Sequence, residues 1–328
     1  MSGQTLQLSD IEAAAARIAG LAVRTPLIEH PILNARVGGR VLLKAENLQR
    51  VGAFKFRGAY NAISLIDREK NPGGVVASSS GNHAQGVAAA AALCGIPAAI
   101  VMPSDAPALK LARTKASGAE IVLYDRATED RYQIARDLAA ERRADLVHPF
   151  DDLRVMAGQG TAGLELMQQA LEIGAEMDAV LVCTAGGGLL SGIATAVKAA
   201  RPETTVHSVE PAGFDDFARS LAAGERLQNA ARSGSICDAL LVDQPGEQTF
   251  AVAQKLCGPG LVVTDEEAAD AVRFAFFELK LVLEPGGAVA LAALLTGKFD
   301  ATNKTVTALL SGGNIDPVLF AKIITEGA

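Results

Sequence analysis

The chain has 328 residues, of which 49% are apolar and 20% are charged, and its formal net charge is −7 at pH 7. A chain of this length forms about two domains or lobes, and its apolar fraction is sufficient for a large buried core. Lysine and arginine are interspersed among the acids without a basic stripe, which argues against nucleic acid as a partner.

The predicted elements begin with a helix opened by a capping box at Ser9 and Glu12. The residues before it lack the basic and apolar runs of a signal peptide, and the scattered cysteines fit a reducing compartment. We therefore expect a cytoplasmic protein. Residues 84–103 are uncharged over a length that could span a membrane, but a turn at 95–97 divides them into a helix and a buried strand.

Strand and helix alternate along most of the chain. Strands are predicted at residues 41–45, 75–78, 98–102, 120–124, 145–148, 179–183, 205–209 and 305–310. Helices are predicted at residues 9–19, 54–65, 82–93, 108–117, 130–142, 161–172, 188–200 and 264–281, the last with a capping box at Thr264 and Glu267. Such alternation predicts an α/β protein of parallel sheets covered by helices. Ligands in such folds bind beyond the carboxyl ends of the strands.

Lys55 has an unusual setting for a charged residue. It lies between Phe54 and Phe56, in a stretch that otherwise consists mostly of glycine and alanine. Small residues let a backbone or a flat ligand approach closely, and an apolar pocket favours the neutral form of an amine. Because a neutral amine can attack a carbonyl carbon and form a Schiff base, the sequence predicts that Lys55 is a covalent catalyst.

Residues 78–83 join a predicted strand to a predicted helix. They contain three serines followed by Gly81, Asn82 and His83. Hydroxyls, an amide and free helical N–H groups together predict a site for a carboxylate or a phosphate. A plain helix cap is the alternative, but it would need only one serine.

Three consecutive glycines, residues 186–188, form a second junction of this kind. Here the backbone can approach a ligand closely, which is typical of a phosphate site. The loop also nearly fits a dinucleotide fingerprint, because Ser191 stands where its third glycine belongs and Glu210 ends the next strand. A nicotinamide oxidoreductase is therefore the alternative from a different class.

Three other loops carry chemically useful residues. Ser311 and two glycines end the last strand, where they could touch a flat ring, and Glu284 precedes a Pro-Gly-Gly sequence that fits either a turn or a site. Glu210, Asp215 and Asp216 place three carboxylates within seven residues. Oxygen ligands on a loop suit Mg²⁺ or Ca²⁺, although spacing alone favours a solvated acidic turn.

Together these motifs resemble the pyridoxal-phosphate enzymes of the serine/threonine dehydratase and serine racemase family. The family's motifs occur in order at residues 44–49, 54–59, 79–85, 157–161, 186–189 and 311–314. The resemblance implies the two-lobed tryptophan-synthase-β-like fold, or fold type II, usually as a homodimer. It assigns residues 1–70 and 152–328 to a large cofactor-binding lobe and residues 71–151 to a small mobile lobe.

The resemblance also implies individual roles. Lys55 would hold pyridoxal phosphate and act as base on the Cα proton, and Ser80 would reprotonate Cα from the opposite face in a racemase. The cofactor contacts would be Phe54, Lys55, Asn82, Gly186, Gly187, Gly188, Leu189, Glu284 and Ser311. The substrate contacts would be Ser79, Asn82, His83 and Arg131. The ligands of a divalent metal, Mg²⁺ or else Ca²⁺ or Mn²⁺, would be Glu210, Phe214 and Asp216.

We expect dehydration and deamination of a small 3-hydroxy-L-amino acid, such as threonine or serine, to a 2-oxo acid and ammonia. A neutral hydroxyl at Ser311 limits the charge that accumulates on the cofactor ring, which fits rapid loss of a β leaving group. Phe150, where serine racemases tend to carry asparagine, favours a dehydratase over a racemase.

Alternatives from the same family and from outside it remain open. Residues 51–56, 105–107 and 128–131 are similar to the 3-hydroxyaspartate dehydratase branch, in which Arg131 would bind the second carboxylate. An amino-acid racemase shares the fold, and a catalytically silent ligand-binding protein is a further alternative.

Overall fold

Ten strands in the described part of the chain form two separate sheets. The structure is a computed structural model that describes residues 5–79, 81–106, 108–125 and 128–326. The larger sheet has the order β1 (Leu27–Glu29), β2 (Arg40–Lys44), β10 (Thr305–Leu309), β7 (Ala179–Cys183), β8 (Thr205–Pro211) and β9 (Leu261–Val263). β1 is antiparallel to β2, and the other neighbouring pairs are parallel.

The smaller sheet is parallel throughout. Its order is β5 (Glu120–Tyr124), β4 (Ala98–Pro103), β3 (Val75–Ser78) and β6 (Asp145–Leu146). One continuous stretch of chain supplies all four of these strands, whereas the larger sheet combines strands from both sides of that stretch. The α/β class with parallel sheets, predicted from the alternating pattern, is confirmed.

Helices cover both sheets. They are α1 (Leu8–Ile18), α2 (Pro31–Val37), α3 (Lys55–Ser64), α4 (Asn82–Cys94), α5 (Ala108–Ala116), α6 (Arg131–Arg142), α7 (Leu153–Glu172), α8 (Gly188–Ala200), α9 (Asp216–Ala223), α10 (Glu247–Leu256), α11 (Asp265–Phe274), α12 (Pro285–Leu295) and α13 (Pro317–Thr325). Every described helix is too short or too polar to span a lipid bilayer.

Glycines bring α3, α7 and α8 into backbone contact. A Cβ atom added to Gly158 would lie 2.5 Å from the Cα of Gly58, and one added to Gly192 would lie 2.5 Å from the carbonyl oxygen of Met156. Side chains at these positions would therefore force the helices apart. Lys55 is the first residue of α3, and close packing against α7 holds this helix in place.

Two helix starts differ from the prediction. α1 begins at Leu8, and the Gln7 N–H donates to the Asp10 carboxylate (2.9 Å), so Ser9 and Glu12 do not form its capping box. α7 begins at Leu153 rather than at 161, because the Asp152 carboxylate accepts the N–H of Arg154 (2.8 Å) and caps the helix earlier.

The predicted helix at 264–281 is interrupted. Its capping box is present, since the Thr264 N–H donates to the Glu267 carboxylate (2.8 Å) and the Glu267 N–H donates to Thr264 Oγ1 (3.2 Å). The α-helix ends at Phe274, however, and a π-helical turn, Ala275–Leu279, follows it. A single π-helical turn hardly alters the spacing of apolar residues, so the sequence gives no sign of it.

Several elements escaped the prediction. These are β1, α2, α9, α10, β9, α12 and α13. α12 is buried along nearly its whole length and therefore shows no alternation of apolar and polar residues. Its Pro285 and two glycines, which fit a turn in the sequence, form its first turn, where proline is well tolerated.

Candidate active site

A pocket collects loops from the carboxyl ends of both sheets. Its volume is about 180 Å³, far more than the roughly 10–15 Å³ that one buried water needs. Its wall includes the loop after β3, the segment after β6, the loop after β7 and the loop after β10. Sequence-distant loops thus meet where ligands bind in open parallel sheets.

Lys55 directs its amine into this pocket. Nζ donates a hydrogen bond to the carbonyl oxygen of Pro149 (2.7 Å) and lies 5.1 Å from the centre of the Phe54 ring. Burial lowers the pKa of the amine to about 8. A useful fraction of Lys55 is therefore neutral near pH 7–8, as a base or nucleophile requires.

The glycine loop, residues 186–188, lines the pocket opposite bulky side chains. A Cβ atom on Gly186 would lie 2.3 Å from the Phe150 ring, and one on Gly187 would lie 2.3 Å from the Phe217 ring. Gly187 also has a φ of +92°, which favours glycine. Gly188 begins α8, and because the first N–H groups of a helix have no intrahelical acceptor, this end of the loop suits an anion.

The N-terminus of α4 forms another part of the wall. Ser79, Asn82 and His83 all line the pocket. His83 Nε2 contacts the carbonyl oxygen of Val147 (3.2 Å), so this nitrogen carries the proton. Burial and the neighbouring Lys55 lower the pKa of His83 to about 3, which keeps the ring neutral. An anion would therefore meet the backbone N–H groups of this turn rather than an imidazolium ion.

Asn82 links the α4 turn to the loops at 284 and 314. Its Nδ2 donates to Glu284 Oε1 (2.6 Å), and its Oδ1 accepts from Asn314 Nδ2 (2.9 Å). Glu284 and Ser311 line the pocket as well. Asn314 also belongs to this chain of contacts. The sequence indicated only a glycine-containing turn there and gave no role to Asn314 itself.

Arg131 and Tyr132 close one side of the pocket. Both residues line it, and an Arg131 guanidinium nitrogen donates to the Tyr132 hydroxyl (2.8 Å). Arg131 is the first residue of α6, whose N-cap is Asp130. The predicted substrate cation is thus brought to the same pocket as Lys55. Ser80, the other predicted catalytic residue, lies outside the described residues.

The acidic loop lies apart from the pocket wall. Glu210 is fully buried, and its two oxygens accept the N–H groups of Phe217 (2.9 Å) and Ala218 (2.7 Å). Asp216 Oδ1 accepts from Asn229 (2.6 Å), while Asp216 Oδ2 is buried with no hydrogen-bond partner in the described structure. Burial, and then the neighbouring Asp216, raise the pKa of Glu210.

These carboxylates are destabilised in their charged form. Burial also raises the pKa of Asp216, to about 7. No group of three or more His, Cys, Asp or Glu side chains suited to a metal occurs among the residues that the structure describes. Two of the three carboxylates of the loop, those of Glu210 and Asp216, are buried, and Phe214 beside them is buried as well.

Comparison with known proteins identifies the fold and its chemistry. The family model described as "Pyridoxal-phosphate dependent enzyme" matches residues 18–312. The chain belongs to this family. It is 42% identical to an L-threo-3-hydroxyaspartate ammonia-lyase of Pseudomonas sp. over 97% of this chain and 99% of that protein.

Two solved structures agree with the family model. The T.th. threonine deaminase superposes with a TM-score of 0.89 at 45% identity, over 94% of this chain and 99% of that one. Maize serine racemase superposes with a TM-score of 0.91 at 37% identity, over 98% of each chain. The chain therefore has the fold type II architecture of pyridoxal-phosphate enzymes.

The residues present fit this cofactor. Glycines that crowd Phe150 and Phe217 leave only backbone to face an anion, and Lys55 is a buried amine of lowered pKa in the same pocket. The dinucleotide alternative is not supported, because Glu210 is buried and bonded to α9 rather than free to bind a ribose. The pocket can therefore hold an aldehyde-bearing phosphate by a covalent bond at one end and backbone N–H groups at the other.

Proposed function

We propose that this enzyme eliminates the 3-hydroxyl group of a small 3-hydroxy-L-amino acid, such as threonine or serine, as water. Hydrolysis of the released imine then takes up one water, so that the net products are a 2-oxo acid and ammonia. The observation that carries this proposal is the convergence of the Lys55 amine, the 186–188 loop and the Ser311 hydroxyl on one pocket. The names of the relatives support the reaction class, because ammonia-lyases and deaminases recur among them.

The residues of the pocket would have different roles in this reaction. Pyridoxal phosphate bound there would supply an electron sink for the Cα atom of the substrate. Lys55 would anchor the cofactor and, once displaced, take the Cα proton, with the Pro149 carbonyl available to orient its amine. The first turn of α4 would bind the substrate carboxylate through backbone N–H groups. Ser311 would offer an uncharged hydroxyl to the cofactor ring.

The decisive experiment is a substrate panel. Purified enzyme loaded with pyridoxal phosphate is incubated with L-threonine, L-serine and the diastereomers of 3-hydroxyaspartate, and ammonia and 2-oxo acid are measured. We expect equal amounts of both products from at least one of them. Appearance of the other enantiomer without oxo acid would indicate a racemase, and a colourless protein that does not bind pyridoxal phosphate would contradict the proposal.

3-Hydroxyaspartate is the second candidate substrate, favoured by the position of Arg131. A guanidinium in the pocket can pair with a second carboxylate, and Tyr132 beside it holds its orientation. The Pseudomonas sp. relative, named for this substrate, aligns with nearly the whole chain.

An Arg131→Gln variant tests this candidate. Loss of a charged hydrogen bond should raise KM for 3-hydroxyaspartate by about 10–100-fold and leave L-threonine little affected. Arg136→Gln is the matched control, because Arg136 lies on the same helix and bonds to Gln133 (2.8 Å). An equal loss for both substrates would show that Arg131 has no role specific to the second carboxylate.

We also propose that Glu210, the Phe214 carbonyl and Asp216 bind Mg²⁺, or alternatively Ca²⁺ or Mn²⁺. The unpartnered Asp216 oxygen and the raised pKa values of both carboxylates support a cation there, since a cation would relieve the repulsion. Mg²⁺ should raise the melting temperature of the chelator-treated enzyme in a saturable way. Identical melting curves with and without each of the three ions would contradict the site.

The remaining proposals concern assembly and motion. We propose a cytoplasmic homodimer in which residues 71–151 form a small lobe that moves against residues 1–70 and 152–328. The separate parallel sheet of β3, β4, β5 and β6 supports the division into lobes. Light scattering should give twice the mass of one chain. Small-angle scattering should show a more compact particle when a substrate analogue is added.

A further inference from the structure

Four consecutive residues between β6 and α7 contact two parts of the pocket, Lys55 and the glycine loop, and also the N-terminus of α10. Residues 148–151 carry the chain from the smaller sheet back to the larger one. The His148 ring organises their turn, because its Nδ1 accepts the N–H of Asp151 (2.9 Å) and lies near that of Phe150 (3.4 Å). We call residues 148–151 the return segment.

The return segment contacts Lys55 first. The carbonyl oxygen of Pro149 accepts the hydrogen bond from Lys55 Nζ at 2.7 Å. The next residue, Phe150, contacts the glycine loop, where its ring fills the space that a Cβ atom on Gly186 would need and its backbone lies 3.0 Å from such an atom on Gly188. A shift of this segment would therefore move a partner of the lysine and a wall of the phosphate site together.

Asp151 anchors the segment to the N-terminus of α10. Its carboxylate accepts the N–H groups of Glu247 (3.0 Å), Gln248 (2.8 Å) and Thr249 (3.2 Å). The residue before the helix, Gly246, has no side chain with which to cap it. Asp151 thus satisfies three of the free N–H groups from a distant part of the chain, and its negative charge suits this end of the helix.

Gly246 makes this approach possible. A Cβ atom there would lie 2.5 Å from Asp151 Oδ1 and 2.7 Å from Thr249 Oγ1. Any larger residue would therefore push the carboxylate away from the helix. The contact can be weakened from either side, by changing the carboxylate or by blocking its approach.

Thr249 connects the N-terminus of α10 to the glycine loop. Its Oγ1 donates to the carbonyl oxygen of Gly186 (2.6 Å), which also accepts the N–H of Gly246 (3.2 Å). A trans peptide directs its carbonyl and its N–H to opposite sides. Holding the Gly186 carbonyl toward α10 therefore fixes the Gly187 N–H on the side away from α10.

We infer that Asp151 is a positioning residue that holds the lysine end and the phosphate end of the cofactor site in register through the return segment and α10. This inference rests on the proposed binding of pyridoxal phosphate. Its consequence is that cofactor affinity depends on a carboxylate that does not itself need to touch the cofactor.

The test is equilibrium binding of pyridoxal phosphate to the cofactor-free protein, followed by visible absorbance. Asp151→Ala and Gly246→Ala should each weaken binding by about 10–100-fold, because hydrogen bonds to a charged group are lost in both. Asp151→Asn keeps an oxygen for the Gln248 and Thr249 N–H groups, so it should restore affinity to within about fivefold of the wild type.

Thr264→Ala is the matched control for simple loss of a helix cap. Thr264 caps α11, which contributes no residue to the pocket wall given above, so this variant should lower the melting temperature without weakening cofactor binding. At saturating cofactor, Asp151→Ala should also lower kcat more than it raises KM, because the partner of Lys55 has shifted.

The outcomes separate this inference from the function on which it rests. If the wild type binds no pyridoxal phosphate, the proposed function is wrong and the inference is overturned with it. If the wild type binds but Asp151→Ala and Gly246→Ala bind equally well, only the inference is overturned. Weakening of the same size in Thr264→Ala, or no rescue by Asp151→Asn, would reduce Asp151 to a general stabiliser and overturn its positioning role.

Discussion

The amines of Lys44 and Lys55 are both buried, but only Lys44 has carboxylates beside it that oppose the effect of burial on its pKa. Lys44 is fully buried, and its Nζ donates to the Thr25 carbonyl (2.9 Å), Glu165 (2.8 Å) and Gln169 (3.0 Å). Burial lowers its pKa, but two nearby carboxylates oppose the change. Lys55 donates to a neutral carbonyl, and burial alone lowers its pKa to about 8.

The surroundings of Lys44 form a closed cluster of charges. Arg57 donates to Glu46 (2.8 Å) and to Glu165 (2.7 Å), and both Arg57 and Glu46 have no exposed side-chain surface. Burial disfavours the charge of Glu46, but Arg57 beside it holds its pKa below the ordinary value. The cluster therefore pairs its buried cations with carboxylates and connects α3, α7 and the end of β2.

The difference shows what makes a buried lysine available for chemistry. Three acceptors, one of them a carboxylate, take up the N–H groups of Lys44 and favour its charged form. Lys55 donates to a neutral carbonyl and forms no ion pair with a described carboxylate, so burial favours loss of its proton. Arg57, two residues after Lys55, fixes the helix on which the reactive amine is mounted.

The largest expected effect separates the two lysines directly. Lys55→Met should lower the rate of ammonia release by at least about 10³-fold, because a base and covalent anchor is lost. It should not lower the stability of the cofactor-free protein, because an uncompensated buried amine is removed. Lys44→Met should do the reverse, retaining measurable kcat while the free energy of unfolding falls by about 1–3 kcal/mol.

Steady-state kinetics measure the loss of activity in both variants, and urea unfolding measures their loss of stability. A Lys55→Met enzyme with more than about 1% of wild-type kcat would exclude Lys55 as the main base, since general base catalysis contributes at least about 10²-fold. A large loss of stability in Lys55→Met, equal to that in Lys44→Met, would mean that both lysines are structural.

The next effect concerns Arg57. Arg57→Met leaves Glu46 charged, buried and without its ion pair, so the free energy of unfolding should fall by about 3–5 kcal/mol. The control is Arg40→Met, which breaks the half-exposed pair with Glu29 and should cost less than about 1 kcal/mol. Similar losses in the two variants, measured by urea unfolding, would contradict a special role for the buried cluster.

The sequence identified Lys55 but not the environment of Lys44. Lys55 stood out because aromatic and small residues surround it along the chain. The alternation of strands and helices predicted parallel pairing, which holds for every neighbouring pair except β1 and β2. The glycine and serine loops were predicted at strand ends, where the structure brings them to one pocket.

The missed features depend on contacts between distant residues. Glu165 lies in the middle of α7 with no local sign that it meets Lys44 and Arg57. Asp151 caps α10 from far along the chain, and no spacing rule connects the two. α12 was missed for a different reason: a helix buried all round has no polar face to give it a period.

The pH dependence of stability sharpens the comparison further. The pKa of Lys55 is about 8 in the folded protein and near 10.5 when unfolded, so between these values the unfolded chain binds more protons. Folded stability should therefore rise as pH increases from 8 to 10.5, and below pH 8 the cost of burying the charged amine is fully present. His83 and His148, which face Lys55, both have lowered pKa values and do not titrate in this window.

Urea unfolding of the cofactor-free wild type and Lys55→Met at pH 7.5 and pH 10 isolates this contribution. Lys44 titrates equally in both proteins and cancels from the difference. The wild type should gain about 2 kcal/mol relative to the variant on going to pH 10, since one pKa unit corresponds to about 1.4 kcal/mol. A difference that does not change with pH would mean that the Lys55 amine has an ordinary pKa.

The smallest expected effect extends the comparison to buried charges of the opposite sign. Glu210 and Asp216 resemble Lys55 rather than Lys44, because neither forms an ion pair with a described residue and Asp216 Oδ2 has no hydrogen-bond partner. Arg219 is near enough to oppose the raised pKa of Asp216 but does not prevent it. Asp216→Asn removes one charge from the pair and should raise the free energy of unfolding in chelator by about 1 kcal/mol. In Asp215→Asn, which changes the less buried neighbour, stability should hardly change.

Mg²⁺ should stabilise the wild type but not Asp216→Asn, because the bare carboxylate that attracts the cation is gone. A destabilised Asp216→Asn in chelator would instead place Asp216 with Lys44, as a buried charge that its protein neighbours already compensate.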